Sequence, residues 1–241
     1  MRMALKSSGR GENLAERIYR QLKKDIFDFR LLPGDRFSEN EIAERMGASR
    51  TPVREALFRL ERETYVQVLQ RSGWQVKPFD FDYFEELYDV RTVLECAAVR
   101  RLCDLQQPEI LLEDLMRIWR VPPAERLRDV STLSGLDERF HETLVEAAGN
   151  TEMARIHHDL TERLRIIRRL DFTKPPRVDA TYDEHGRILD AIAHHRTEQA
   201  LMMLKAHIET SRNEVRKITL HMLHEARAKG REPEAANNNF Q

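Results

Sequence analysis

The sequence is short of the features that mark membrane, secreted or redox proteins. Its longest apolar runs are only a few residues, far from the roughly 20 that a membrane helix needs. The basic opening Met1–Arg10 lacks the apolar core of a secretory signal, so a cytoplasmic protein with no membrane partner is expected. Only two cysteines occur, Cys96 and Cys103. Seven residues is two turns of one expected helix, too far for a disulfide, so both should be reduced, partly buried thiols. Net charge is also scarce, at -1, which taken alone argues against a nucleic-acid partner.

What is present tells more. Hydrophobic residues make up 41% of the chain and charged residues 34%, enough apolar material for one large or two modest cores. The charge is also unevenly spread. Residues 1–78 carry 16 Lys/Arg against 11 Asp/Glu, a balance of +5, whereas residues 79–241 carry 24 against 30, a balance of -6. Only the front is suited to meet phosphate.

Periodicity divides the chain in the same place. Residues 1–11 read as a loose arm, and residues 12–78 as a first domain. Leu14, Ile18, Leu22 and Ile26 predict a helix to about Phe27, stopped by the turn Leu32-Pro33-Gly34-Asp35. Ser38 reads as an N-cap, with Glu41 completing a capping box for a short helix to about Met46. Gly47 ends it, and Ser49 or Arg50 opens a third helix with Val53, Ala56, Leu57 and Leu60 on its inner face. Two extended runs, Tyr65–Leu69 and Trp74–Lys77, predict a hairpin. Helix, helix, turn, helix, hairpin is the order of a winged helix-turn-helix. Residues 79–229 read as an all-α bundle of six helices, at about 82–104, 108–118, 123–147, 151–170, 179–194 and 197–228. Residues 230–241 read as a disordered tail. The expected fold is therefore mainly α, with one small β-hairpin wing.

The third helix carries the chemistry for reading DNA. Ser49 and Thr51 place hydroxyls at its start, where free backbone N–H groups also favour a phosphate. Arg50 and Arg54 lie one turn apart on its outer face, each able to fork onto guanine O6 and N7. Pro52 suits the first turn. Arg71 and Gly73 at the hairpin tip are placed to approach the DNA backbone or minor groove. Residues 14–77 resemble the DNA-binding domain of the GntR family, through Leu32–Asp35, Phe37–Ala43 and above all Ser49-Arg50-Thr51-Pro52-Val53-Arg54-Glu55-Ala56-Leu57. The resemblance implies DNA contacts by Arg50, Thr51 and Arg54, with Gly73 in the wing. Three positions depart from the family pattern. Asn40 replaces a common arginine, and Phe29 and Thr64 replace usual glycines, which should alter the local turns.

In the second half, seven of nine histidines fall between His141 and His207. Asp137 and His141 share a helix face, and His185 and His207 come from two later helices. One Asp and three His make a donor set suited to a divalent transition metal such as Zn, Ni or Mn. Spacing alone leaves open that these are ordinary helix residues. The adjacent pairs His157/His158 and His194/His195 need no joint role, and the run Arg163, Arg165, Arg168, Arg169 reads as a solvated face. Arg91 could grip a carboxylate in two places, or pair with Glu95 one turn on.

Residues 80–220 resemble the FCD-type effector domain of the FadR branch of GntR regulators. The matching features are Val90-Arg91 with Glu95, Asp137-Glu-Arg-Phe-His141, Ala147-Ala-Gly-Asn150, Glu184-His185 with Ile188–Ile192, and Ala206-His207-Ile208. Carried over, the resemblance implies metal ligands Asp137, His141, His185 and His207, and effector contacts at Arg91 and Asn150. Six helices would suit the VanR-like subgroup. The expected protein is a homodimeric transcription regulator, a repressor or an activator, bound to a near-palindromic double-stranded operator and controlled by a small carboxylate at the metal. The rivals are a metal-dependent hydrolase and a DNA-binding dimer without an effector.

Overall fold

A computed structural model describes residues 13–70, 73–168 and 175–217. They form two compact units that part between Phe79 and Asp80. The arm at 1–11, the tail at 230–241 and Arg71 lie outside the described residues.

The first unit begins with α1 (Leu14–Phe27), capped by the Asn13 side chain. Ile18, Leu22 and Ile26 are buried, while Leu14, in the first turn, stays exposed. α2 (Glu39–Met46) has the full capping box: Ser38 Oγ accepts from Glu41 N, and Glu41 accepts from Ser38 N. It ends at Gly47 in the left-handed conformation. α3 (Arg50–Arg62) packs on α1 through Val53, Leu57 and Leu60, all fully buried. The wing is a three-stranded antiparallel sheet of order β1-β3-β2, with β1 (Arg36–Phe37), β2 (Val66–Leu69) and β3 (Gly73–Val76). The two-residue β1 has no period to read, so sequence predicts only the hairpin.

Two expectations for this unit change. Phe29 and Thr64, which replace glycines, were expected to alter their turns. Both instead take the left-handed backbone a glycine would take, at φ 55° and 66°. The chain accepts strain of about 1–2 kcal/mol at each to keep the turn. Gly73, at φ 88°, is required by the sheet itself, since a Cβ there would stand 2.7 Å from the Phe37 carbonyl oxygen.

The second unit holds seven α-helices among the described residues: α4 (Phe81–Cys103), α5 (Pro108–Leu111), α6 (Glu113–Trp119), α7 (Val130–Ala147), α8 (Thr151–Arg168), α9 (Pro175–Ala193) and α10 (Thr197–Arg216). The expected helix at 108–118 is broken at Leu112, so the count of six behind the VanR-like subgroup does not hold. The expected 123–147 helix is a 3₁₀ turn at Pro123–Glu125 followed by α7, whose N-terminus is capped by Asp129. α9 starts four residues early, because prolines 175 and 176 are well accommodated in a first turn. Of the helix expected at 197–228, the part beyond 217 lies outside the described residues.

α4 is central, packing against α7, α8, α9 and α10. Its buried stripe runs Phe84, Leu87, Tyr88, Arg91, Glu95, Ala98, Val99, Leu102. Two charges in the middle of an apolar stripe require a polar interior, and that interior is the site described next. Cys96 and Cys103 are both free thiols.

Candidate functional site

Three helices of the second unit bring four residues into one buried cluster. α7 supplies Asp137 and His141 one turn apart, α9 supplies His185 and α10 supplies His207. All four are 4% exposed or less. His207 Nε2 lies 3.2 Å from His141 Nε2 and 3.3 Å from His185 Nε2. Asp137 Oδ1 lies 3.8 Å from His141 Nε2 and 3.4 Å from His185 Nε2. The four donor atoms fall within 4.8 Å of one another.

Surrounding carboxylates fix which nitrogen faces inward. His141 Nδ1 donates to Glu95 Oε2 at 2.6 Å, and His207 Nδ1 donates to Glu184 Oε2 at 2.6 Å. Each neutral ring then turns a bare Nε2 lone pair toward the other, which is repulsive unless a cation lies between them. Ligands about 2.1 Å from a common ion at 90–110° stand roughly 3.0–3.4 Å apart, the spacing of His207 from His141 and His185 and of Asp137 from His185. Phe140 stacks on His185 at 3.6 Å and Trp119 meets its ring edge-on at 4.2 Å, which locks the third imidazole. The residues present fit a divalent metal.

Electrostatics agrees with this assignment. Burial pushes the pKa of His141 down to about 3, and lowers those of His185 and His207. The rings are therefore neutral at physiological pH, as ligation requires. Burial pushes Asp137 up, but the positive charge of Arg168 outweighs it and holds the carboxyl below its usual range.

A second ring of charge encloses these ligands. Glu95 is fully buried and accepts from Arg91 Nε at 2.6 Å, from His141 and from His157 Nε2 at 3.0 Å. Burial raises its pKa, yet Arg91 and His141 hold it well below the ordinary range. Arg168 forms an ion pair with Asp137, and Arg177 donates to Glu184 at 2.9 Å. Counting Glu95, Asp137 and Glu184 against Arg91, Arg168 and Arg177, the interior is neutral with neutral imidazoles. Arg91 Nη1 and Nη2 and Arg168 Nη1 are buried without a hydrogen-bond partner.

Several sequence readings need correction here. Arg168 is not on a solvated face: it is 3% exposed and pairs with Asp137. Arg165 is half-buried against Glu138, Arg163 donates to Tyr83 Oη, and Arg169 lies outside the described residues. His157 and His158 share no role, as expected, yet His157 alone reaches the interior and hydrogen-bonds to Glu95. The signal was the α8 stripe Met153, His157, Leu160, Leu164, Ile167, Arg168, all at core-facing steps. The Arg91–Glu95 pair forms as expected, but buried. Asn150 does not join the cluster by any hydrogen bond, because its side-chain oxygen accepts from Met153 N at 3.0 Å and caps α8.

In the first unit, the outer face of α3 presents Arg50 and Arg54, with side chains 60% and 51% exposed. Thr51 is exposed beside them, and Asn40 is exposed on α2. Ser49 is the N-cap residue of α3, but its side chain makes no capping hydrogen bond and so remains available.

Two family models match the chain: "Bacterial regulatory proteins, gntR family" over residues 14–76 and "FCD domain" over residues 86–210. The gluconate operon transcriptional repressor of Bacillus subtilis is 31% identical over 72% of this chain and 70% of its own length. The Nta operon transcriptional regulator of Aminobacter aminovorans is 28% identical over 73% and 82%. A GntR transcriptional regulator from Rhodococcus sp. RHA1 shares the fold, with a TM-score of 0.67 at 22% identity, over 85% of this chain and 98% of that one. These families and relatives are transcriptional regulators rather than enzymes, and among the described residues no helix is long and apolar enough to cross a membrane. The chain belongs to the GntR family of bacterial transcriptional regulators, with an FCD domain following its DNA-binding unit.

Proposed function

We propose that this regulator reads DNA through α3 and is controlled by a small carboxylate anion bound beside a divalent metal in the helical unit. Arg50 and Arg54 take base edges, Ser49 and Thr51 take phosphates, and the Gly73 backbone of the wing approaches the duplex. Asp137, His141, His185 and His207 hold the metal, whose chemistry is that of a Lewis acid anchoring a carboxylate oxygen. Zn, Ni and Mn all suit the donor set.

The observation that carries the proposal is the facing pair of lone pairs, His141 Nε2 and His207 Nε2 at 3.2 Å, inside a charge-balanced interior. A divalent cation resolves the repulsion but leaves a net +2, which favours an anionic ligand. Arg91 Nη1 and Nη2, buried without partners, offer that anion a fork. Among the relatives, one repressor is named for the operon of gluconate, itself a carboxylate. A homodimer belongs to this reading, since one short helix reads few bases. Val90 and Val93, one turn apart on α4 and 45% and 68% exposed, suit such a contact.

The test uses chelator-stripped full-length protein titrated with Zn, Ni and Mn, then with a panel of small carboxylates, following the unfolding temperature. A DNA duplex selected from a random library reports on operator affinity. Metal and then carboxylate should each raise the unfolding temperature, and carboxylate should change affinity for the duplex. The proposal fails if no metal stabilises the protein. Stabilisation by metal with no carboxylate effect on DNA would favour the effector-independent dimer.

A further inference from the structure

Arg50 and Arg54 do not wave freely over the outer face of α3. Both are held by one carboxylate, that of Glu39 at the start of α2. Arg54 Nε donates to Oε1 at 2.9 Å and Arg54 Nη2 donates to Oε2 at 2.8 Å. Arg50 donates to the same Oε2 from Nε at 3.4 Å and Nη2 at 3.2 Å. Glu39 itself is only 14% exposed, and the Trp74 side chain of β3 also hydrogen-bonds to it. One acidic side chain therefore joins α2, the DNA-facing helix and the wing.

We propose that Glu39 is a specificity-determining positioning residue, which aims Arg54 at guanine by occupying the inner edge of its guanidinium. The proposal rests on the reading that Arg50 and Arg54 face DNA. A guanidinium has two edges that can fork onto a pair of acceptors, one from Nε and Nη2 and one from Nη1 and Nη2. Glu39 takes the first edge of Arg54, and the second makes no hydrogen bond among the described residues of a side chain that is 51% exposed. Guanine O6 and N7 are the acceptor pair that matches this edge. A long, flexible arginine loses rotamer freedom when it forms such a fork, and Glu39 removes that freedom in advance.

The carboxylate also acts on the wrong ligands. Its negative charge, placed behind the arginines, weakens their sequence-independent attraction to phosphate. Arg54 hydrogen bonding holds the Glu39 pKa at about 2, so the charge persists at any physiological pH. Glu39 thus raises the ratio of specific to non-specific binding from both sides.

The experiment compares full-length wild type, Arg54→Ala, Glu39→Gln and the double variant. Wild type first selects a preferred duplex from a randomised library, and Arg54→Ala identifies the guanine whose preference it loses. Fluorescence anisotropy then measures affinity for that duplex, for the duplex with the guanine replaced, and for a scrambled sequence. Glu39→Gln is isosteric and keeps the Ser38–Glu41 capping box, and an unchanged circular dichroism spectrum verifies the fold. Its guanine preference should fall about fivefold to tenfold at the same position, while scrambled-sequence affinity rises. In the Arg54→Ala background the same change should leave the residual preference untouched. The inference is overturned if Glu39→Gln keeps the wild-type ratio. It is equally overturned if both affinities rise together, the mark of simple autoinhibition, or if the ratio falls in the Arg54→Ala background as well. If wild type enriches no sequence, the DNA reading of α3 falls first.

Discussion

Arg54 and Arg168 are each bound by a carboxylate from a neighbouring helix, and the two pairs have opposite consequences. The Arg54 side chain is 51% exposed and Arg168 is 3% exposed. In the first unit the charge is held at the surface, where water screens it and a new partner can reach it. In the second, both charges are out of water, so each makes sense only in the presence of the other. The exposed pair is an instrument for binding. The buried pair is a condition for folding, and it sets the charge felt by the histidine cluster.

The comparison breaks most visibly at Asp137. Asp137→Ala leaves Arg168 buried without its counter-charge, which should destabilise the chelator-treated protein by about 3–5 kcal/mol. Urea denaturation measures it. Glu39→Gln, whose arginine partners are solvated, should move the midpoint far less. Equal effects would show that burial does not separate the two pairs.

The next effect sharpens the contrast through ligand binding. Metal at a hundred times its dissociation constant should stabilise the protein by about 2.7 kcal/mol. His141→Ala should abolish that gain and Arg54→Ala should keep it. Trp119 meets the His185 ring at 4.2 Å, so its fluorescence in a Trp74→Phe background should respond to the same titration. A metal effect that survives His141→Ala would place the ion elsewhere.

The two units were not equally legible in the sequence. α1 and α2 could be read closely because their signals are local: the four-residue steps of Leu14, Ile18, Leu22 and Ile26, the Ser38–Glu41 box and Gly47 each act within a few residues. The arginines of α3 stood out because they sit in a dense local motif. Asp137, His141, His185 and His207 were also found, as a set carried by resemblance, and the structure brings all four together. The charges around them were missed for a physical reason. Arg168, His157, Arg177 and Glu184 look like ordinary helix-surface residues until α4, α8, α9 and α10 are packed, and only tertiary contact decides which face is inside. Glu39 was hidden in the same way, since its partners lie eleven and fifteen residues along the chain.

Backbone strain gives the two smaller effects, both in the first unit. Gly73→Ala combines φ 88° with a Cβ 2.7 Å from the Phe37 carbonyl, and should cost about 2 kcal/mol by disturbing the β1–β3 pairing. A loss of that size would show that the glycine is kept by the sheet. Any DNA contact by the wing would then use a backbone fixed for structural reasons.

Thr64→Gly should do the reverse. Thr64 is an exposed β-branched residue at φ 66°, where a left-handed backbone costs about 1–2 kcal/mol. Glycine removes that strain but gives back roughly 0.5–1 kcal/mol through the greater freedom of the unfolded chain. The expected net is a gain of about 0.5–1 kcal/mol, read as a small rise in unfolding temperature. Phe29, at φ 55°, shares the strain but not the outcome, because its ring is only 4% exposed. Losing that ring outweighs the relief, so Phe29→Gly should destabilise. Opposite signs at two residues of like backbone would show that side-chain burial, rather than turn geometry, keeps a non-glycine residue at Phe29. Thr64 would then hold its turn with no packing to offset the strain.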